Sequence, residues 1–187
     1  MIEEAGAMLE LVQRIFLIAK ADFTGKCAPD LKLESVLGLD PGWLDSNGIK
    51  CVIFDADNTL FPHHAGRAGS KTLAFLKSLS RKYRLGIASN APNEARVAQL
   101  ENYFRAKGVK IAVSRGKGKK PLPGQFEYIA KKFSLKPAQC AMVGDNLFTD
   151  IAGAKLAGMK AVKVRPYDQK SEPWHFAFMR FLEKALE

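Results

Sequence analysis

A chain of 187 residues with 47% hydrophobic and 26% charged side chains has material for one ordinary core, which excludes a disordered or low-complexity protein. Its formal net charge of +10 is unevenly spread: residues 1–104 set 12 basic against 12 acidic side chains, whereas 105–136 set 10 basic residues against Glu127 alone. Such a block attracts phosphate esters, nucleic acid or an anionic membrane surface, and it equally fits a solvated basic face.

The first apolar stretch, Ala5–Lys20, is interrupted by Glu10, Gln13 and Arg14. It is shorter than the roughly 20 apolar residues that spanning a bilayer requires. The acidic start Met-Ile-Glu-Glu does not read as a secretory signal, so a cytoplasmic location is expected. The stretch suits a helix over 5–19 that either packs on its own domain or lies peripherally on the inner face of a membrane. Cys27, Cys51 and Cys140 form no CxxC pair, which suits a reducing compartment, and the last two sit in apolar runs as core residues.

From Ile49 onward, short apolar runs alternate with helical periodicity. Cys51–Phe54 reads as a buried strand, and Leu73, Leu76, Leu79 and Tyr83 give a helix over 70–83 with Ser70 as N-cap. Leu85–Ala88 is the second strand. Val97, Leu100 and Phe104 mark a helix over 93–106, with Pro92 in its first turn. Val109–Val113 is the third strand, and Phe126, Ile129, Ala130 and Phe133 mark the next helix. Cys140–Val143, a helix over 150–157 closed by Gly158, and Ala161–Val164 complete the series. A last stripe of Trp174, Phe178, Phe181 and Leu182 predicts a helix over 173–186.

Strands alternating with helices imply an α/β fold, a parallel sheet between two helical layers, with ligands at the carboxyl ends of the strands. One domain over 1–187 is expected, with a catalytic core of about 49–166, a helical leader 1–48 and extra terminal helices.

The residues after each strand carry the chemistry. Asp55 follows the first, where an aspartate can attack phosphorus and form an acyl phosphate. A phosphate dianion would be repelled there unless a hard, oxygen-liganded cation bridged the two. Asp57 falls on the same side in extended geometry and can protonate a leaving alkoxide. Alone, Asp55-Ala56-Asp57-Asn58-Thr59 also fits a polar turn. Ser89 and Asn90 follow the second strand and can donate hydrogen bonds to phosphoryl oxygens, although Ser-Asn is ordinary turn chemistry too. Lys120, before Pro121, can neutralise a bound phosphate or simply belong to a solvated basic loop. After the fourth strand, Asp145 can complete a cation site, and Asp150 can orient Asp145 or a metal-bound water.

Taken in order, FDADNTL, SN, KKP and GDNLFTD resemble motifs I to IV of the haloacid dehalogenase (HAD) superfamily phosphatases, over about Ile49 to Pro166. The resemblance implies a three-layer, HAD-like Rossmannoid sheet with Mg2+ as cofactor. It implies Asp55 as nucleophile, Asp57 as general acid/base, and Ser89, Asn90 and Lys120 on phosphate. Magnesium would lie on Asp55, the Asp57 carbonyl and Asp145, with Thr59, Asn146 and Asp150 in support. The gaps from Asp57 to Ser89 and from Ser89 to Lys120 leave no room for a cap domain. The chain is thus similar to the capless subfamily III, and within it to the YqeG and mitochondrial phosphatidylglycerophosphatase group. GDNLFTDIAGAKLAGM followed by VRP carries that likeness, with Asn146 where the group often has glutamine and His63-His64 after motif I.

The leading expectation is hydrolysis of a phosphate monoester, phosphatidylglycerophosphate first, with peripheral membrane contact. A nucleotide, nucleic-acid or sugar phosphate substrate is the alternative, with nucleic acid the weaker partner. A non-catalytic binding protein of the same fold is the third reading, and intact Asp55, Asp57, Lys120 and Asp145 argue against it. Oligomeric state stays open.

Overall fold

The computed structural model describes residues 28–62, 66–90, 94–116 and 118–168. Among them, six strands form one parallel sheet: β1 (Leu31–Leu33), β2 (Cys51–Phe54), β3 (Arg84–Ile87), β4 (Ala112–Val113), β5 (Cys140–Gly144) and β6 (Lys160–Val164). The order across the sheet is β1-β6-β5-β2-β3-β4, every neighbour parallel. The described helices are α1 (Pro41–Ser46), α2 (Ser70–Leu79), α3 (Glu94–Ala106), α4 (Gly124–Lys132) and α5 (Ala152–Leu156).

Period-two alternation along the strands sorts the core into two layers. Val52, Phe54, Leu85, Ile87 and Val143 face one side, with Leu76 of α2 and Leu100 and Phe104 of α3. Cys51, Ile53, Cys140 and Met142 face the other, with Phe126 and Ile129 of α4 and Ala154 of α5. Phe54 and Phe126 are fully buried, and burial of such a ring contributes about 1.5–3 kcal/mol. Gly86 lets α4 come close, since a Cβ there would lie 2.7 Å from Ile129 Cγ2.

The helical leader 1–48 requires correction: Leu31–Leu33 adds β1 beside β6, outside the core span that began at Ile49. Three residues are too short a run for periodicity to reveal. Asp30 pins this edge, with Oδ2 accepting from the Ala161 N–H at 2.8 Å and ion pairs to Lys155 and Lys160. Val36, Leu39 and Leu44 then bury on the sheet. The third strand is shorter than expected, because Val109 is used elsewhere. Its N–H donates to the Phe104 carbonyl and, with Gly108 at φ +69°, closes the end of α3. Gly69, not Ser70, stands at the N-cap of α2. The helices expected over 5–19 and 173–186, and Cys27, lie outside the described residues.

Strands β3 and β4 extend from β2 on one side, and β5 and β6 on the other. The connection therefore reverses between β2 and β5, and a crevice opens at their carboxyl ends. Asp55 and Asp145 stand there.

Candidate active site

Asp55 follows β2, and its N–H donates to the Val143 carbonyl at 2.9 Å, which ties it to β5. Three residues later the chain must turn back sharply. Asn58 does this at φ +62°, a conformation asparagine tolerates, with its N–H on the Phe61 carbonyl and its carbonyl on the Tyr167 N–H. Thr59 thereby reaches across to β5, and its hydroxyl donates to Asp145 Oδ1 at 3.0 Å.

Lys120 lies at the centre. Its side chain is 2% exposed, and Nζ donates to Asp55 Oδ1 at 2.5 Å and Asp150 Oδ1 at 2.6 Å. A solvated loop lysine is excluded. Asn90 positions it: Oδ1 accepts from the Lys120 N–H at 2.6 Å, and Nδ2 donates to the Lys120 carbonyl at 3.2 Å. The Lys120–Pro121 peptide is cis. Ser89 is half-buried at the carboxyl end of β3.

Asp150 is turned toward Lys120 by the segment after β5. Asn146 Oδ1 accepts from the Phe148 and Thr149 N–H groups, starting a π-helical turn over Leu147–Ile151 that runs into α5. The helix expected to begin at Asp150 thus starts earlier. Asp150 Oδ2 accepts from the Asn146 N–H at 3.1 Å, and Oδ1 also accepts from the Thr149 hydroxyl. Gly144 makes room, for a Cβ there would sit 2.3 Å from Asp150 Oδ2.

The carboxylates of Asp55, Asp145 and Asp150 each offer an oxygen within 4.8 Å of the others. Burial pushes the Asp55 carboxyl well above the usual aspartate range, and Asp150 and Asp145 add to this while Lys120 opposes it. Burial disfavours the charged Lys120, but Asp150 and Asp55 outweigh it, so the ammonium holds its proton more tightly than usual. Three carboxylates against one ammonium suit a divalent, oxygen-seeking cation. Asp57 stands apart from this cluster. Its carboxylate is turned to Arg96, whose Nη2 lies 3.1 Å from Oδ1 and 3.4 Å from Oδ2.

Arg96 is a residue the sequence reading missed, since a single arginine inside a helix gives no pattern. Ser114 and Gln125 were missed too. Ser114 donates to the Gln125 carbonyl and accepts from Gly116, and Gln125 Nε2 donates to the Gly118 carbonyl, shaping the loop before Lys120. His63 and His64 lie outside the described residues.

Residues 66–158 match the haloacid dehalogenase-like hydrolase family. The chain is 26% identical over 159 residues to the probable phosphatase YqeG of Bacillus subtilis, covering 84% of this chain and 88% of that protein. It is 27% identical over 162 residues to phosphatidylglycerophosphate phosphatase 1, chloroplastic/mitochondrial, of Arabidopsis thaliana, covering 84% of this chain but 46% of the relative. Among solved structures, a predicted phosphoglycolate phosphatase from Haemophilus somnus shares the fold with a TM-score of 0.51 and 18% identity, over 65% of this chain and 88% of that one. Sheet order, the carboxylates at its crevice and these likenesses agree: the chain carries a haloacid dehalogenase-like hydrolase domain, and it is a phosphatase.

Proposed function

We propose that this phosphatase is magnesium-dependent, works through an aspartyl phosphate on Asp55, and acts on phosphatidylglycerophosphate or a related anionic ester. One observation carries the reading: Asp55 and Asp150 hold Lys120 between them, and Asp145 offers an oxygen within 4.8 Å of theirs, at the reversal point of the sheet. Asp55 and Asp145, with the Asp57 carbonyl and with Asp150 behind them, would hold the ion, whose charge offsets the repulsion between a carboxylate and a phosphate dianion.

An Asp55 carboxylate oxygen attacks phosphorus, and the bond from phosphorus to the ester oxygen breaks. Asp57 gives its proton to the departing alkoxide. Water then attacks the acyl phosphate and passes a proton to Asp57, the bond from phosphorus to Asp55 breaks, and inorganic phosphate leaves. Lys120 neutralises phosphoryl oxygens throughout, with Ser89 beside it. Asn90 serves by fixing the Lys120 main chain, to which both ends of its amide are bonded.

The lipid reading draws on the Arabidopsis relative, named for phosphatidylglycerophosphate, and on Arg115 and Lys119 beside the site. Peripheral contact with an inner membrane face accompanies it. Among the described residues, no helix is long and apolar enough to cross a membrane. The test is phosphate release from lipid, sugar and nucleotide monoesters, with and without magnesium. Release from the lipid ester, lost with EDTA, is expected. Faster turnover of a nucleotide or sugar phosphate would overturn the lipid assignment, and full activity in EDTA the metal assignment.

A further inference from the structure

Arg96 is held at several points on α3. Besides the two contacts with Asp57, its Nη1 donates to Gln99 Oε1 at 3.0 Å, and the guanidinium lies 5.7 Å from the centre of the Phe61 ring. Its side chain is 18% exposed, so it forms part of a wall rather than a mobile surface arm. That wall bounds a cleft of about 300 Å³, which Ser89, Asn90, Arg115 and Lys119 also line. The cleft is therefore continuous with the phosphoryl site through Ser89 and Asn90.

Its position fixes what can enter. Asp57 gives its proton to the departing oxygen, so the side of the site that Asp57 and Arg96 share is the side where the alcohol leaves. Glu94 is the acidic residue of the wall among the described residues, against Arg96, Arg115 and Lys119. Asp57 and Glu101 serve as partners that orient Arg96 and Arg115. A guanidinium already fixed in place binds an oxyanion with little further ordering cost. The volume is at the small end for ligand pockets, so it suits a headgroup-sized alcohol, with any acyl chains left outside.

We infer that this cleft receives the leaving group, and that Arg96 selects for a leaving group carrying a second anionic group, a phosphodiester or a carboxylate. The inference rests on the phosphomonoester reading above. The geometry makes Arg96 both a positioning residue for Asp57 and the determinant of specificity.

The test compares glycerol 3-phosphate, whose alcohol is neutral, with glycerophosphoglycerol phosphate and 3-phosphoglycerate, whose leaving groups carry a diester and a carboxylate. The anionic esters should exceed the neutral one by about tenfold or more in kcat/KM, and Arg96→Gln should reduce that advantage to about twofold, chiefly through KM. Arg96→Lys should keep part of it, as a point charge without the planar fork. Preference for the diester alone assigns a lipid-type headgroup, and for the carboxylate alone a soluble metabolite. Calorimetry with glycerophosphoglycerol, the dephosphorylated product, gives a readout that needs no turnover. Arg96→Gln should weaken that binding about tenfold, and the exposed Arg115→Gln, which leaves the fold undisturbed, by less. If Arg96→Gln slows charged and neutral esters equally and product binding is unchanged, Arg96 serves Asp57 alone and the inference falls. If no ester is hydrolysed but the product binds through Arg96, the anion site stands and the proposed reaction falls. Absence of both overturns both.

Discussion

Strands β2 and β5 run side by side, and their two ends carry opposite chemistry under equal burial. At the start, Cys51 and Cys140 lie in register and fully buried, both as free thiols. At the finish, Asp55 and Asp145 are almost as buried, at 9% and 4% exposed. The thiols are satisfied cheaply. The hydrogen bond with Cys140, and then burial, push the Cys51 thiol up, so it stays neutral and packs as a small apolar group. The carboxylates cannot be accommodated that way. Asp55 draws in Lys120 from the β4–α4 connection and Asp145 the Thr59 hydroxyl, while Lys120 in turn needs Asn90 and Asp150, the latter held by the Asn146 N–H. Buried charge thus recruits partners from every neighbouring loop, whereas buried sulfur asks only for space. On the proposed mechanism, that asymmetry gives one end of the same strand pair a reaction and the other end only stability.

The comparison breaks most visibly at Asp55. Asp55→Asn should lower phosphate release on the order of 10⁴-fold or more, because an amide is a poor nucleophile. Its melting temperature should be unchanged or higher, because a buried carboxylate crowded by Asp150 and Asp145 has been removed. Near-wild-type turnover by the purified variant would end the covalent mechanism.

Lys120→Met should cost both properties. Removing the ammonium leaves Asp55 and Asp150 buried without their counter-charge, which costs about 3–5 kcal/mol. Urea denaturation measures this, and a loss under about 1 kcal/mol would show that the carboxylates find other compensation.

Metal removal and Thr59→Val act on the same end through the cation rather than the nucleophile. EDTA should abolish activity. Without its hydroxyl partner, Asp145 should need roughly 10-fold more magnesium for half-maximal rate, the usual scale for loss of a ligand's supporting hydrogen bond. An unchanged magnesium titration would remove Thr59 from that role.

At the apolar end, Cys51→Ala should cost about 1–2 kcal/mol of stability and leave kcat within about twofold, since only packing is lost. A large fall in kcat would mean that the two ends are coupled.

The smallest effect belongs to the sheet edge. Burial raises the Asp30 carboxyl, but Lys155, the Ala161 N–H and Lys160 outweigh it, and the group titrates below the usual aspartate range. Its contribution is therefore present above the unfolded pKa and is lost as pH falls through the lowered one. Asp30→Asn should flatten that acid limb by no more than about 1 kcal/mol, because the site is partly solvated. A steeper limb in the variant would contradict the sign.

Five strands were legible because each is an apolar, β-branched run bounded by polar turns, and the four polar clusters that follow them stand where a parallel sheet presents its ligands. Strand β1 was not, since Leu31–Leu33 takes its meaning from Ala161–Val164, about 130 residues away. The same limit governs the site. Residue types alone placed Asp55, Lys120, Asp145 and Asp150 together, because one centre needs both their charges and their order along the chain. Which atom meets which was decided in three dimensions. That Asn90 grips the Lys120 main chain, that Asp150 answers Lys120, and that Asp57 turns to Arg96 all depend on loops brought together by strand order. Sequence spacing reports neighbours within one element, and hydrogen bonds between elements depend on distances that only the packed sheet sets.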